Sequence, residues 1–296
     1  MDRIILKKVL LPNGETYAYR EKGTGDRTIV LVHGNLSSSI LWDILMEELP
    51  GNEYRIIAPD LRGFGDSSYI EPISTVKDFS EDLRVFADTL SLKKFVLMGW
   101  SLGGLIALQF TADHQDYVSH LALMGTSAHA IAVPKLDSEG KAIQGSFWST
   151  QEDIKARYAD IRATLANRDS AKLLLGLNTV IYIYNKPAPT RYRRYLEEIF
   201  KQRNKFETDY ATVQFNISHE HNGITQGTGE IDRITCPTLI FQGDSDIVTP
   251  VVYGEKLREE IGDNAKLVML HQTGHSPLVD SLNNVVQELL DFIRGD

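Results

Sequence analysis

The sequence has few of the features that mark secreted, membrane-spanning or nucleic-acid-binding proteins. Its single cysteine, Cys236, allows no intramolecular disulfide, and its amino terminus has no long apolar segment typical of a secretion signal, so we expect a cytoplasmic protein. No run approaches the roughly 18–20 apolar residues that span a bilayer, and no membrane insertion is expected. Acidic residues outnumber basic ones by 40 to 31, and the formal net charge of −9 repels phosphate backbones. No nucleic-acid partner is therefore predicted.

Patterns that bind metal ions are also scarce. The run His219-Glu220-His221 lacks the i, i+4 histidine spacing of a helical zinc site and has no evident third ligand. Cys236 stands at the start of a predicted buried strand, where cysteine acts as a small apolar residue rather than as a reactive thiol. The sequence therefore predicts neither a metal ion nor an organic cofactor.

What the sequence does have is an alternation of short apolar runs and helical periodicities. A hairpin is predicted over residues 7–20. Four apolar runs of strand length follow at residues 28–32, 55–58, 95–98 and 118–124, and the segments between them carry helical spacing. Strands alternating with helices imply right-handed crossovers and a mostly parallel, doubly wound α/β sheet.

The alternation stops after the fourth apolar run and resumes only near the carboxyl terminus. Residues 127–230 carry helical periodicities but no clear buried strand, whereas two further strands are predicted at 237–241 and 266–270. We therefore expect a core domain formed by residues 1–126 and 231–296. An α-helical lid is expected to be inserted before the last two strands.

The pentapeptide Gly99-Trp100-Ser101-Leu102-Gly103 stands between a predicted strand and a predicted helix. A G-x-S-x-G sequence in that context forms a sharp turn that presents the serine hydroxyl at the carboxyl end of the sheet. Glycines two residues before and after the serine leave room for the chain to fold back on itself. The simpler alternative is a tight turn rich in small residues, but the strand-turn-helix context favours Ser101 as a nucleophile.

A serine hydroxyl needs a base at neutral pH, and that base needs a carboxylate to orient it. Of the eight histidines, only His275 lies in a loop after a predicted strand with a glycine directly before it. Asp246 lies in the loop after the preceding strand, so the chain order is serine, aspartate, histidine. Asp244 lies in the same loop, and either aspartate could instead cap the following helix. We favour Asp246 as the acid.

A tetrahedral intermediate needs two backbone N–H donors for its oxyanion. One donor is expected from Leu102, the residue after the nucleophile, at the first turn of its helix. The second should come from the loop after the strand ending at Val32, where His33-Gly34-Asn35 stands, and we expect the N–H of Asn35 to supply it. A simple turn is the alternative explanation for His33-Gly34.

From Thr28 to its carboxyl terminus the sequence resembles the α/β-hydrolase superfamily. Four motifs carry this resemblance: His33-Gly34-Asn35, Asp60-Leu61-Arg62-Gly63-Phe64-Gly65-Asp66-Ser67, Gly99-Trp100-Ser101-Leu102-Gly103, and Gly243-x-x-Asp246-x-x-x-Pro250 with Gly274-His275. Superfamily members with this pattern usually place the acid at the aspartate of G-x-x-D-x-x-x-P, which corresponds to Asp246. Epoxide hydrolases and haloalkane dehalogenases of this fold use an aspartate nucleophile, so Ser101 argues against those two chemistries.

A closer resemblance is to N-acyl homoserine lactonases of this fold. They have a similar His-Gly-Asn-x-Ser-Ser run and a similar Gly-Trp-Ser-Leu-Gly-Gly turn, which here are residues 33–38 and 99–104. Carbon–carbon bond hydrolases commonly follow the catalytic histidine with an aromatic residue, whereas Ser276 follows His275 here. A carbon–carbon bond hydrolase therefore stays only a minor alternative. The superfamily resemblance also leaves open an acyltransferase or a non-catalytic ligand-binding member of the fold.

The predicted lid is rich in aromatic residues, which favours a small-molecule substrate with an apolar acyl or aromatic part. Most of these rings should pack the lid against the core. We select Trp148, Tyr182 and Tyr184, together with Trp100 beside the nucleophile, as candidate substrate contacts. The expected activity is that of a serine hydrolase acting on a carboxylic ester or lactone through an acyl-enzyme intermediate.

Three arginines in the predicted lid could hold a substrate carboxylate: Arg191, Arg193 and Arg194. A surface helix face with Glu197 and Glu198 nearby explains them more simply, because exposed ion pairs of this kind are common on helices.

Overall fold

The computed structural model describes residues 3–295. In that range the strands are β1 (Ile5–Leu10), β2 (Thr16–Lys22), β3 (Arg27–Val32), β4 (Tyr54–Pro59), β5 (Phe95–Trp100), β6 (Val118–Met124), β7 (Pro134–Leu136), β8 (Ala142–Phe147), β9 (Thr238–Gly243) and β10 (Ala265–Leu270). The α-helices are α1 (Asp43–Glu48), α2 (Val76–Thr89), α3 (Leu102–Asp113), α4 (Gln151–Arg157), α5 (Ala159–Ala166), α6 (Ser170–Val180), α7 (Pro189–Ile199), α8 (Lys205–Gln214), α9 (Val251–Ile261), α10 (Pro277–Asp280) and α11 (Leu282–Arg294).

Eight of these strands form one sheet in the order β1-β2-β4-β3-β5-β6-β9-β10. β1 pairs antiparallel with β2, and β2 pairs antiparallel with β4, whereas the other neighbours are parallel. β5 and β9 are buried at every position, as expected for continuous apolar strands with helices on both faces of the sheet. The mostly parallel sheet with flanking helices confirms the predicted α/β fold class.

Two apolar clusters cover the two faces of the sheet. One contains the inward sides of α2, α3 and α9, and the other contains those of α1 and α11. α2 begins at a capping box in which Thr75 and Asp78 each accept a hydrogen bond from the other's backbone N–H. No helix within residues 3–295 has both the length and the apolarity needed to cross a bilayer.

The helix predicted after Ser38 begins as a 3₁₀ turn over Ser39–Trp42 and continues as α1. Ser38 caps this turn, because its hydroxyl oxygen accepts a hydrogen bond from the N–H of Ile40 at 3.3 Å. The cap fixes the end of the loop that follows β3, and this loop contains Asn35.

The chain between β6 and β9 contains the segment predicted to be a lid, and we refer to residues 127–230 as the insertion. It contains α4 to α8, so helices form most of its regular secondary structure. It also contains the short antiparallel hairpin β7–β8, which the sequence analysis did not predict. The hairpin lacks a buried apolar face, since the first four residues of β8 are all exposed, and its pattern therefore gives no strand signal.

Candidate active site

Ser101 occupies the turn between β5 and α3. Its φ of 54° and ψ of −118° form a conformation that residues other than glycine rarely adopt. The N–H of Ser101 donates to the carbonyl of Met124 at 2.9 Å, and the carbonyl of Ser101 accepts from the N–H of Gly104 at 2.8 Å. These bonds hold a half-buried serine in a strained turn at the carboxyl end of the sheet.

Glycines permit this turn because backbone atoms occupy the space where their side chains would be. A Cβ on Gly99 would lie 2.2 Å from the carbonyl oxygen of Gly103, and one on Gly103 would lie 2.1 Å from the carbonyl oxygen of Val32. On the neighbouring loop, a Cβ on Gly34 would lie 2.8 Å from a ring carbon of Trp100. A larger residue at any of these positions would displace the turn or the loop beside it.

His275 and Asp246 form a buried pair in the loops after β10 and β9. Nδ1 of His275 lies 2.8 Å from Oδ2 of Asp246, and both side chains are almost inaccessible to solvent. Oδ1 of Asp246 accepts hydrogen bonds from the N–H groups of Val248 and Thr249, each at 2.8 Å, which fixes the carboxylate. A carboxylate at Nδ1 favours the tautomer with the proton on that nitrogen and leaves Nε2 as the basic atom.

Two contacts bring this pair to the Ser101 turn. The indole N–H of Trp100 donates to the carbonyl of His275 at 2.7 Å, and the two ring centroids are 5.4 Å apart. Gly125, directly after β6, has a φ of 51°, and a Cβ there would lie 3.1 Å from the His275 ring and 3.2 Å from Asp246. The structure therefore places the predicted serine, histidine and aspartate together at the carboxyl end of the sheet.

Asp244, the other candidate acid, makes different contacts. Its carboxylate accepts hydrogen bonds from the N–H groups of Gln272 and Thr273 at 3.1 and 3.3 Å, and Nδ1 of His271 lies 3.4 Å away. Asp244 thus joins the loop after β9 to the loop after β10. The carboxylate that lies against His275 belongs to Asp246.

The two residues predicted to supply oxyanion donors lie on either side of the Ser101 turn. Leu102 is the first residue of α3, so its N–H has no acceptor within the helix. Asn35 is held by its side chain: its oxygen accepts from the N–H of Leu36 and from Nε2 of Gln202, both at 2.9 Å, and its Nδ2 donates to Asp209 at 3.0 Å. These bonds fix the loop that contains Asn35.

Gln202 and Asp209 are site residues that the sequence analysis missed. Both belong to the insertion, and both are buried. Asp209 also forms an ion pair with Lys205, one turn earlier in α8. Burial raises the pKa of Asp209, and the charge of Lys205 opposes that rise. A lysine and an aspartate four residues apart are typical of an exposed helix face, so their spacing does not indicate a buried pair.

His33 supports the same loop from the core side. Its Nδ1 lies 2.8 Å from the carbonyl oxygen of Gly34, and its Nε2 accepts a hydrogen bond from the N–H of Leu61 at 3.1 Å. A neutral ring satisfies both contacts, with Nδ1 as donor and Nε2 as acceptor. Burial lowers the pKa of His33 to about 4, although the nearby Asp60 carboxylate opposes this shift. His33 is therefore uncharged at neutral pH.

A narrow cavity of about 50 Å³ lies beside Trp100 and Asn35. Residues of the insertion form much of its wall: Leu177, Ile181, Tyr182, Tyr195 and Ile199. Since a buried water molecule needs roughly 10–15 Å³ measured in this way, the cavity has room for only a few heavy atoms. Of the predicted substrate contacts, the structure places Trp100 and Tyr182 at this cavity.

The other two predicted contacts lie elsewhere. Trp148 packs beneath the charged ends of Lys135 and Arg157, which lie 5.7 and 5.9 Å from its ring centroid. Tyr184 is exposed, and its hydroxyl lies 2.7 Å from the hydroxyl of Ser245. Neither ring lines the cavity beside Asn35.

Asp280 joins the insertion to the loop that contains His275. Its Oδ2 accepts from the N–H of Gly274 at 3.0 Å, and its Oδ1 accepts from the N–H of Asn185 at 2.9 Å. Ile183 packs so tightly against Gly274 that a Cβ on the glycine would lie 2.7 Å from the isoleucine side chain. One carboxylate thus contacts both the insertion and the residue before His275.

Within residues 3–295, one group of carboxylates is close enough to share a metal ion: Asp60, Asp66 and Glu198. The ammonium group of Lys201 already lies 3.0 Å from Asp66 and 2.7 Å from Glu198. Asp60 accepts hydrogen bonds from the N–H groups of Ser39 and Asp66 at 2.8 and 2.9 Å. Each carboxylate of this cluster therefore already has a protein partner.

Comparison with known proteins identifies the family to which this architecture belongs. The family model described as the alpha/beta hydrolase fold matches residues 27–282. The chain belongs to the α/β-hydrolase family. This α/β hydrolase is 24% identical over 281 residues to a pimeloyl-[acyl-carrier protein] methyl ester esterase of Neisseria meningitidis, and the match covers 91% of this chain and 94% of the relative.

Solved structures of α/β hydrolases superpose over nearly the whole chain. An esterase from Exiguobacterium antarcticum has a TM-score of 0.75 at 20% identity, covering 98% of this chain and 100% of the esterase. An enol-lactonase from Burkholderia xenovorans has a TM-score of 0.72 at 19% identity, covering 97% of this chain and 100% of the lactonase. Likeness at these identities establishes the shared fold.

Proposed function

We propose that this α/β hydrolase is a serine hydrolase that cleaves a carboxylic ester or lactone through an acyl-enzyme intermediate. The observation that carries the proposal is the buried His275–Asp246 pair, 2.8 Å apart, beside a serine in a strained turn. Burying an imidazole against a carboxylate costs desolvation free energy that apolar side chains would not cost. A site that takes part in acyl transfer has a use for such a pair.

The proposed reaction begins with proton transfer from the Ser101 hydroxyl to Nε2 of His275. The serine oxygen attacks the substrate carbonyl, and the negative charge that develops on the carbonyl oxygen is held by the N–H groups of Leu102 and Asn35. The imidazolium is stabilised by Asp246 and returns its proton to the departing alcohol oxygen. This step leaves the acyl group on Ser101 and releases the alcohol.

Water completes the proposed cycle. His275 takes a proton from a water molecule, the resulting hydroxide attacks the acyl carbonyl, and the second tetrahedral intermediate uses the same two N–H donors. The proton then passes from His275 to the oxygen of Ser101 as the carboxylic acid leaves. In a lactone the alcohol and the acyl group belong to one molecule, so the first step opens the ring without releasing a product and the second step releases a single hydroxy acid.

The cavity beside Asn35 sets the expected size of the acyl group. Its small volume of about 50 Å³ favours a short acyl group, of acetyl to butyryl length, over a long chain. Trp100 and Tyr182 line it, so the acyl group should be apolar. Among esters we therefore expect activity to be highest with short acyl chains and to fall steeply beyond them.

The decisive experiment measures hydrolysis of p-nitrophenyl acetate and butyrate by the wild type, Ser101→Ala and Ser119→Ala. Ser119 is a half-buried serine of β6 that serves as the matched control. We expect Ser101→Ala to lower kcat by about 10⁴- to 10⁶-fold and to lose labelling by a fluorophosphonate probe. Ser119→Ala should keep both properties. A wild type that neither turns over these esters nor reacts with the probe would remove the proposal.

A compact lactone is the second candidate substrate, because the motifs at residues 33–38 and 99–104 are similar to those of N-acyl homoserine lactonases. The small cavity favours lactones with a short acyl substituent over those with long chains. The test compares hydrolysis of butanoyl and dodecanoyl homoserine lactones with that of p-nitrophenyl butyrate. Ester turnover without turnover of either lactone would restrict the proposal to esters.

A further inference from the structure

A second and larger cavity lies on the outer side of the insertion, in a groove between α6 and α7. Its volume is about 600 Å³, against about 50 Å³ for the cavity beside Asn35. Small-molecule sites usually measure about 300–1,000 Å³, so the groove has the size of one. Its apolar wall is formed by Leu174, Leu196 and Phe200, which pack on the core cluster and remain partly exposed.

Three basic side chains border this apolar wall: Arg168, Lys186 and Arg193. In the part of the chain that the structure describes, none of the three has a carboxylate partner at ion-pair distance. The other two arginines of α7 differ in this respect, because Arg191 and Arg194 both pair with Asp43. These three cations give the edge of the groove a locally positive charge in a chain whose net charge is −9.

Arg168 lies at the groove in a backbone conformation that is unfavourable for arginine. It stands directly after the last turn of α5 with a φ of 50°, a position where helices usually place glycine. The N–H groups of Arg168 and Asp169 donate back to the carbonyls of Leu165 and Thr164 at 3.1 and 3.0 Å, which is the bonding pattern of that glycine-type helix end. The guanidinium of Arg168 lies 5.0 Å from the centroid of the Phe200 ring.

The groove is separate from the proposed active site. Tyr192 lines the groove and donates its hydroxyl hydrogen to Asn178 at 3.0 Å. On its other side the Tyr192 ring contacts Tyr182, at 5.1 Å between centroids, and Tyr182 lines the cavity beside Asn35. A pair of aromatic rings therefore stands between the two cavities.

The geometry points to a binding site for a medium-chain carboxylate in the α6–α7 groove, with its anionic head on Arg168, Lys186 and Arg193 and its alkyl chain along the apolar wall. Charge complementarity selects an anion, since the rim carries three cations and one acid, Glu197. The apolar wall selects a ligand with a hydrocarbon chain over inorganic anions. The guanidinium and ammonium groups are suited to a carboxylate head.

The test is calorimetric titration of the full-length Ser101→Ala chain with octanoate, 1-octanol and acetate. None of the three ligands is an ester, and the variant lacks the proposed nucleophile, so binding is measured whether or not the proposed hydrolysis is correct. We expect one octanoate to bind per chain. We expect 1-octanol and acetate to bind at least 10-fold more weakly, because 1-octanol lacks the carboxylate and acetate lacks the alkyl chain. Octanoate binding should weaken as salt is added.

Variants locate the site and separate binding from folding. Arg193→Gln and Lys186→Gln should each weaken octanoate binding by about 5-fold or more, and Glu197→Gln should strengthen it. Arg168→Gly should weaken binding while raising the Tm, because glycine relieves the positive φ. Lys93→Gln is the matched control and should bind normally, because Lys93 is an exposed lysine at the amino end of β5, whereas the insertion follows the carboxyl end of β6.

Three results would overturn the proposed site. The first is the absence of octanoate binding in a folded chain, or equal binding of octanoate and 1-octanol. The second is unchanged octanoate affinity in the Arg168, Lys186 and Arg193 variants. The third is binding to anionic phospholipid vesicles without binding of octanoate, which would make the groove a membrane-contacting surface instead.

Discussion

The core and the insertion position their parts of the candidate site in different ways. In the core, the serine, aspartate and histidine follow β5, β9 and β10, so the hydrogen bonds of one sheet set their separation. In the insertion, Gln202 and Asp209 each contact Asn35 through one hydrogen bond between side chains, and no strand pairing supports these contacts. The core therefore fixes its functional groups by backbone geometry, and the insertion does so by individual side chains.

This difference determines what a substitution should do in each region. A sheet retains its geometry when one side chain changes, so a core substitution should alter the chemistry and leave the positions intact. In the insertion, one net hydrogen bond contributes about 1 kcal/mol and one to a charged group about 1.5–3 kcal/mol, so a substitution should shift a position by a graded amount. We expect large and specific losses in the core and smaller, coupled losses in the insertion.

The largest expected effect comes from the acid in the core. Asp246→Asn should lower kcat for p-nitrophenyl butyrate by about 10⁴-fold, because an amide at Nδ1 no longer stabilises the imidazolium or its productive tautomer. Asp244→Asn is the matched control, and it should cost less than about 3-fold because Asp244 contacts backbone N–H groups instead of His275. Equal losses in the two variants, with unchanged Tm, would show that the roles of the two aspartates are assigned wrongly.

The second effect is on stability and pH, and it tests whether the core loop is held by a neutral histidine. The pKa of His33 is about 4 in the fold against 6.5 for an exposed histidine, so between these values the unfolded chain binds the proton more tightly. The neutral His33 therefore contributes to the free energy of unfolding. This contribution is complete above pH 6.5 and is lost as the pH falls towards 4. It corresponds to about 2–3 kcal/mol between pH 7.5 and 4.5.

His33→Gln should therefore be less stable than the wild type at pH 7.5 and should show a flatter decline in the free energy of unfolding down to pH 4.5. Urea unfolding at a series of pH values measures this decline. The control is His221→Gln, since His221 is exposed and has no carboxylate at ion-pair distance in the part of the chain that the structure describes, and this variant should keep the wild-type slope. A wild-type slope in His33→Gln would mean that other groups cause the pH dependence.

The third effect tests whether the insertion acts on the core through Asn35. Asp209→Asn should lower kcat about 10-fold with little change in KM, because the loop that carries a proposed oxyanion donor loses its anionic acceptor. Asn35→Ala removes the same hydrogen bond from the other side. The double variant should lose little more than the larger single variant, as expected for two residues in one interaction.

If the losses of kcat in Asp209→Asn and Asn35→Ala add up in the double variant, Asp209 acts elsewhere than through Asn35. A rise in KM as large as the fall in kcat in Asp209→Asn would show the same. The stability control is Asp113→Asn, since Asp113, like Asp209, is a helical aspartate paired with a basic residue, and it is the last residue of α3, away from Asn35. Its Tm should respond to the loss of an ion pair while kcat stays unchanged.

The fold was predictable because its signals are local and periodic. The apolar runs of β3, β5 and β9 are buried along nearly their whole length, so each run reads as a strand without knowledge of its neighbours. The turn at Ser101 was equally visible, because two glycines are needed where the backbone atoms approach within 2.2 Å of the missing side chains. Chain order then placed the candidate acid and base at the ends of later strands of the same sheet.

The contributions of the insertion were not predictable for a physical reason. Gln202 and Asp209 matter because they meet Asn35 more than 160 residues away in sequence, and no local pattern encodes such a contact. The aromatic residues show the same limit: Tyr182 and Tyr184 are two residues apart, yet one is buried at the cavity and the other is exposed. Only the packing of α6 and α7 on the core decides which ring faces inward.

The smallest expected effect uses these two tyrosines to ask whether the insertion sets the acyl-chain preference. Tyr182→Leu should enlarge the cavity and raise the ratio of kcat/KM for p-nitrophenyl octanoate over butyrate by about 3- to 5-fold, a change of about 1 kcal/mol. Tyr184→Leu, the matched control, should leave this ratio within about 2-fold, because Tyr184 does not line the cavity. The same shift in both variants would indicate a general loosening of the insertion, and no shift in either would place the acyl group outside the cavity beside Asn35.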